Sequence, residues 1–213
     1  MKKKINKSSL FLRLIITLLG TAIAGFGVHL MLYSALGADP FSTMVSGIIE
    51  YVPLRFGTLC QVINLLFIVA DYFLDKKQIG LSTVIYGIGC GQFINIFSDL
   101  NFNYAIHPLV LSILGVYLLG AGVAVYLFAG LGSGPVEGVM IALQGIMKME
   151  MKYTRIIIDV SEVLLGVLLG GVWGVGTVIA CFGTGPAISL TLNLLNKKVS
   201  LPVLHQEEVP IND

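Results

Sequence analysis

Arg155, Asp159 and Glu162 lie within one apolar stretch. On a helix, at about 100° per residue, they would fall within about 60° of one another on one face. Seven residues at about 1.5 Å each place Glu162 roughly 10 Å along the axis from Arg155. Charged groups at the centre of a bilayer are disfavoured by about 2.5–3.5 kcal/mol on insertion scales. They normally face a bundle interior or a wet cavity, where they mark an ion or substrate path. Gln61 and Asn64, with Asp71, share a face of an earlier apolar stretch. The competing explanation is a structural Arg155–Asp159 pair supported by hydrogen bonds between helices. Glu162 fits that explanation less well, because the nearest cation on its own helix is two turns away.

Two glycine-rich turns supply a second set of candidates. Leu36-Gly37-Ala38-Asp39-Pro40 precedes a short apolar segment over 41–51, and Leu131-Gly132-Ser133-Gly134-Pro135 precedes another over 136–147. Eleven or twelve residues cannot cross about 30 Å of hydrocarbon, so each segment is expected to be an interfacial, re-entrant or buried half-helix. Pro40 and Pro135 suit a first helical position, Asp39 is a good N-cap, and Glu137 lies near enough to help satisfy free N–H groups. Gly37, Asp39, Pro40, Gly132, Gly134, Pro135 and Glu137 are therefore candidates for substrate-facing helix starts or gates. They read equally as capped links between helices. The acidic residues already at both starts argue against an anionic substrate.

The last apolar stretch adds Thr177, Gly185 and Pro186. Pro186 removes a backbone donor, so Gly183-Thr184-Gly185-Pro186 is expected to kink or break the helix and free carbonyls for a path. His29 has no partner visible in sequence and reads as structural. Cys60, Cys90 and Cys181 read as small buried hydrophobes, with no spacing that suits a disulfide or metal. No nucleophile–base pair, metal-ligand cluster or phosphate loop occurs at a spacing suited to catalysis. Neither an enzyme nor a cofactor is expected.

These residues need an apolar framework to hold them. Of the 213 residues, 56% are hydrophobic and 12% charged, about half the charged share of a soluble domain. Net charge is +1, which gives no basic field for nucleic acid. Spans are expected near 10–32, 58–74, 81–97, 109–128, 155–169 and 174–195. The first span has a basic start like a signal peptide, but it is long and contains Arg13. An interior segment also shares its pattern, so it is expected to be retained. Lys and Arg concentrate before the first span, at Lys76 and Lys77, at Lys148 and Lys152, and at Lys197 and Lys198. The connections over 98–108 and 170–173 have none. Cytoplasmic loops retain such residues, so both termini are expected in the cytoplasm.

The chain also repeats. Leu19-Gly20, Gly25, Gly27-Val28, Leu36-Gly37 and Pro40 recur ninety-five positions later as Leu114-Gly115, Gly120, Gly122-Val123, Leu131-Gly132 and Pro135. Gly80, Thr83-Val84-Ile85, Gly89 and Gly91 recur ninety-four later as Gly174, Thr177-Val178-Ile179, Gly183 and Gly185. Three spans per repeat would invert the second half relative to the first. The expected organisation is a cytoplasmic N-terminus (1–9), repeat 1 (10–97), an external loop (98–108), repeat 2 (109–195) and a cytoplasmic tail (196–213). The expected fold is an all-α membrane protein of six helices in two inverted three-span repeats, each with a half-helix after its first span.

The repeated Leu-Gly-x-x-Pro turn, Thr154-Arg155-Ile156-Ile157-Ile158-Asp159-Val160 and Leu168–Thr177 together resemble the YczE/YyaS/YitT-like bacterial integral membrane proteins over roughly residues 10–195. The YczE-like branch is the nearest match, because YitT-like proteins have a soluble C-terminal domain beyond the spans. The resemblance implies a bacterial plasma membrane and supplies no activity. The residues themselves favour a small-solute or ion transporter in the lipid bilayer, with a path between the repeats. The alternative is a non-transporting accessory or scaffold for a partner or biosynthetic assembly. Small-residue faces also leave a homo-oligomer open.

Overall fold

The structure, a computed structural model, describes residues 7–198, and among these the regular structure is helical. Eight α-helices run in order: α1 (Lys7–Ser34), α2 (Pro40–Ile48), α3 (Phe56–Leu74), α4 (Leu81–Asp99), α5 (Pro108–Phe128), α6 (Pro135–Met147), α7 (Met151–Leu168) and α8 (Val175–Lys198). Short 3-10 turns follow α2 and α3. Five helices, α1, α3, α4, α5 and α8, are long and apolar enough to cross a membrane. The protein is thus an all-α, multi-pass membrane protein. The remaining long helix, α7, has 18 residues, about 27 Å at 1.5 Å each. It carries Lys152, Arg155, Asp159 and Glu162, which lower its apolar character. The expected basic stretch before residue 7 and the tail from Val199 lie outside the described residues.

Local chemistry accounts for the two short helices. At α2 the Asp39 carboxylate accepts from the Ser42 backbone N–H at 3.2 Å, and Pro40 follows at the first helical position. Helix α6 also opens on proline, but its cap is Gly134, which offers no side-chain acceptor. Glu137 stands in its first turn. The α6 helix ends at Lys148 in the left-handed region (φ 51°).

Glycines set the centre of the bundle. Where α1 crosses α5, Gly20 lies over Gly122 and Gly27 over Gly115. A Cβ on Gly20 would stand 2.6 Å from Tyr126 N, and one on Gly115 would stand 2.7 Å from Gly27 O. Only bare backbones approach this closely, as in small-residue packing of membrane helices. Helix α4 packs against α1, and α8 packs against α5.

The links between long and short helices dock on distant parts of the chain. The turn after α1 meets the start of α8, where Gly176 N–H donates to Leu36 O at 2.8 Å. The turn after α5 meets the start of α4, where Ser82 N–H donates to Leu131 O at 3.0 Å. In both dockings a threonine hydroxyl accepts from the glycine three residues before it: Thr177 from Gly174 at 3.4 Å and Thr83 from Gly80 at 2.9 Å. Gly37 (φ +95°) and Gly132 (φ +119°) take backbone conformations that side-chain-bearing residues rarely adopt. The short helices cross over as well, with α2 lying on α7 and α6 on α3.

Of the kink or break expected at Pro186, the break does not occur. Helix α8 continues through Pro186, and the proline ring is exposed on the outer face. Its missing N–H bears on one turn only, on the side where Phe182 is also exposed. On the buried side of the same stretch, Thr184 Oγ1 donates to Ala180 O at 2.8 Å. Membrane helices tolerate proline where neighbouring helices, Ser or Thr side chains and local adjustments satisfy the freed backbone groups.

Candidate functional site

The starts of α2 and α6 converge on a cavity of about 90 Å³ at the centre of the bundle. Asp39, Pro40, Phe41 and Ser42 approach from one start, and Val136 and Glu137 from the other. Between them, α7 contributes Arg155, Asp159 and Glu162 on successive turns of one face. Opposite, α3 supplies Cys60 and Asn64, and α4 supplies Tyr86 and Cys90. Val28, Ile94, Leu119, Val123 and Ile188 supply apolar wall, and Thr184 borders the cavity from α8.

The polar groups are unevenly satisfied. Arg155 Nε lies 3.5 Å from Asp159 Oδ2, one helical turn on. Asn64 Nδ2 donates to Gly87 O at 3.2 Å, which ties α3 to α4. Glu162 is only 5% exposed, and its Oε1 has no hydrogen-bond partner. Asp39 uses Oδ2 as the α2 cap and leaves Oδ1 without a partner at 9% exposure. Buried acceptors without donors are disfavoured by about 1–3 kcal/mol, and charged ones by more. Two such oxygens at one cavity form a place prepared to accept N–H or O–H donors.

Seven of the residues singled out from sequence meet here: Asp39, Pro40, Asn64, Glu137, Arg155, Asp159 and Glu162. The others lie elsewhere. Gly37, Gly132 and Thr177 form the two docked turns, where a Cβ on either glycine would strike the facing threonine or glycine. Gly134 caps α6, close to the Glu137 carboxylate and the Tyr126 hydroxyl, and Pro135 packs near Gly87. Gln61 is committed to α4, donating from Nε2 to Ile88 O at 2.8 Å. Gly185 and Pro186 do not border the cavity, and nothing lies within 4 Å of a Cβ built on Gly185.

Ser42, Cys60, Tyr86, Cys90 and Thr184 border the cavity without having been expected to. The repeat register offered a signal for three of them. Ser42 matches Glu137, Cys60 matches Arg155, and Cys90 matches Thr184, at spacings of ninety-five or ninety-four. Cys60, Cys90 and Cys181 are free thiols. Asp71 was seen in sequence only as a neighbour of Asn64 on one helix face. It is fully buried against Gly138 of α6, and neither carboxyl oxygen has a partner. His29 stands apart from the cavity, in an aromatic group with Phe26, Tyr33, Phe97 and Tyr104.

A family model described as "Family of unknown function (DUF6198)" matches residues 11–193. An uncharacterized protein of Haemophilus influenzae is 28% identical over 189 residues, covering 88% of this chain and 86% of that one. The uncharacterized protein YyaS of Bacillus subtilis is 25% identical over 171 residues, 78% of this chain and 85% of its own. The uncharacterized membrane protein YczE of the same organism is 25% identical over 201 residues, 91% and 94% of the two chains. No solved structure matches. The match over nearly the whole length, on an all-helical membrane fold, places this chain in the DUF6198 family together with YczE-like membrane proteins.

Proposed function

We propose that the chain is a transporter of a small solute or ion, built from two inverted three-span repeats with its path between them. Repeat 1 comprises 10–97 and repeat 2 comprises 109–195, and α7 crosses the bilayer as the fifth of six spans. Both termini face the cytoplasm of a bacterial plasma membrane, in keeping with the loop positions of Lys76, Lys77, Lys148 and Lys152. The reading is of passage rather than catalysis.

The observation that carries it is the make-up of the cavity wall. Val28 and Val123, Cys60 and Arg155, Asn64 and Asp159, Cys90 and Thr184, and Ile94 and Ile188 all border it. Each pair is separated by ninety-five or ninety-four positions. Matching positions around one cavity are what a shared axis of two repeats would give, and inverted-repeat transporters hold their substrates there. The reciprocal dockings support the same reading, since α2 lies on α7 as α6 lies on α3, and Leu36 accepts as Leu131 accepts. Short helices whose starts reach the cavity from the two halves resemble the discontinuous helices that such proteins use.

The test is two-sided accessibility. Ser42→Cys, in a background with Cys60, Cys90 and Cys181 replaced by alanine, is treated with a membrane-impermeant thiol reagent in right-side-out and inverted vesicles. Labelling from both sides is expected. Labelling from one side or neither would contradict a path through this cavity.

A further inference from the structure

We propose that the protein binds an amphipathic organic cation, with its N–H-bearing head among Asp39, Asp159 and Glu162 and its apolar body in a groove between α7 and α8. The proposal rests on the transport reading and names the substrate class of that site.

The head is argued from the unsatisfied acceptors. Four carboxyl groups, those of Asp39, Glu137, Asp159 and Glu162, face one guanidinium, and Arg155 is already engaged by Asp159 at 3.5 Å. Glu162 Oε1 and Asp39 Oδ1 are buried without donors at the same cavity. An anion would add like charge to this wall, whereas a cation with several N–H groups would supply what both oxygens lack. Among the described residues, no three His, Cys, Asp or Glu side chains gather closely enough to hold a metal ion. The acceptors are spread over two helices and a cap, which suits a polyatomic head better than a bare ion. A cavity of about 90 Å³ is smaller than the roughly 150 Å³ that accepts benzene. An ammonium or amidinium with one or two carbons would fill it.

The body is argued from a second cavity. It measures about 580 Å³ and is lined by Ile156, Val160 and Leu164 of α7, Cys181 and Phe182 of α8, and Trp173 between them. Asp159 borders both cavities. An acidic chamber and an apolar trough therefore share one carboxylate, and a molecule that reached from one to the other past Asp159 would have a cationic end and a hydrocarbon end. Each methylene moved from water into such a trough is worth about fourfold in affinity.

Calorimetric titration of the full chain in lipid nanodiscs tests both halves, using methylammonium, hexylammonium, hexanoate and hexanol. Hexylammonium is expected to bind tenfold or more tightly than methylammonium, with hexanoate and hexanol at least tenfold weaker than hexylammonium. Glu162→Gln should weaken both cations tenfold or more. So should Asp39→Asn, which keeps a capping residue at α2. Val160→Trp, which fills the trough, should reduce hexylammonium to the methylammonium affinity and leave methylammonium unchanged. Glu50→Gln, at an exposed position, should change neither. Binding of hexanoate or hexanol as tight as that of the cation, no cation binding, full affinity in folded Glu162→Gln and Asp39→Asn proteins, or an unaltered chain-length gain in Val160→Trp would each overturn the proposal. Two-sided labelling of Ser42→Cys without cation binding would sink this inference alone. Cation binding with one-sided labelling would instead remove the transport reading.

Discussion

The helix pairs α3–α4 and α7–α8 occupy matching places in the chain and are built differently. Between α3 and α4 the backbones touch at Gly57 and Gly91, and Gln61, Asn64 and Asn95 all reach across or along the seam. Their counterparts in the second half are Lys152, Gly185, Ile156, Asp159 and Ser189. There α7 leans on α2 and α6, α8 leans on α5, and the apolar trough lies between them. Bonded amides and facing glycines close one seam, whereas Lys152, Ile156 and Asp159 stand in place of Gly57, Gln61 and Asn64 along the open one. On the proposed transport reading, the first seam would serve support and the second access. The difference also explains why the charged residues of the cavity come mostly from the second half.

Substitutions along the two seams should separate these roles. The largest effect is expected for Gly57→Leu, because its Cβ would collide with the Gly91 carbonyl and with the Asn95 side chain at 2.7 Å. Overpacking of this kind is destabilising by about 1–3 kcal/mol or more, read as a loss of folded yield and a lower melting temperature in detergent. Asn95→Ala should follow at about 1 kcal/mol. It removes the acceptor of Gly57 N–H at 3.0 Å and the donor to Thr58 at 3.2 Å, and hydrogen bonds between membrane helices average about 0.6 kcal/mol with a maximum near 1.7. Gln61→Ala loses one such bond and should be destabilising by about 0.5 kcal/mol in the same assay. Gly185→Leu, at the position matching Gly91, should change stability by less than about 0.5 kcal/mol, because nothing lies within 4 Å of a Cβ there. A Gly185→Leu loss equal to that of Gly57→Leu would erase the distinction between the seams.

Much of the framework was legible in the sequence because its causes are local. Apolar run lengths located the long helices to within a few residues, and Pro40 and Pro135 marked the starts of α2 and α6. Asp39, Asp159 and Glu162 could be nominated because charge within an apolar stretch needs a reason. The rest depends on contacts that helical periodicity does not encode. Periodicity put Gln61 and Asn64 on one face, but only packing shows that Gln61 is committed to α4 while Asn64 also reaches the cavity. Gly37, Gly132 and Thr177 looked like site residues, yet they make the docked turns that hold the halves together. Pro186 was expected to kink or break α8 because proline rules are written for helix interiors in general, and the break is absent. Its exposure on the outer face spared the side that packs on α5. Ser42, Cys60 and Thr184 carry no chemical mark of their own, and Ser42 and Cys60 are marked only through the repeat register, by Glu137 and Arg155.

The account's central claim is that α7–α8 is the working seam and α3–α4 the fixed one. Spin labels can be placed at Val62 and Val84 on the first pair, and at the matching Ile157 and Val178 on the second. All four positions are exposed. Pulsed electron–electron distance measurements in nanodiscs, with and without hexylammonium, should give one narrow, unchanged distance for α3–α4. For α7–α8 they should give a broad or double distribution that the cation shifts. A cation-dependent change across α3–α4, or a single unresponsive distance across α7–α8, would contradict the account.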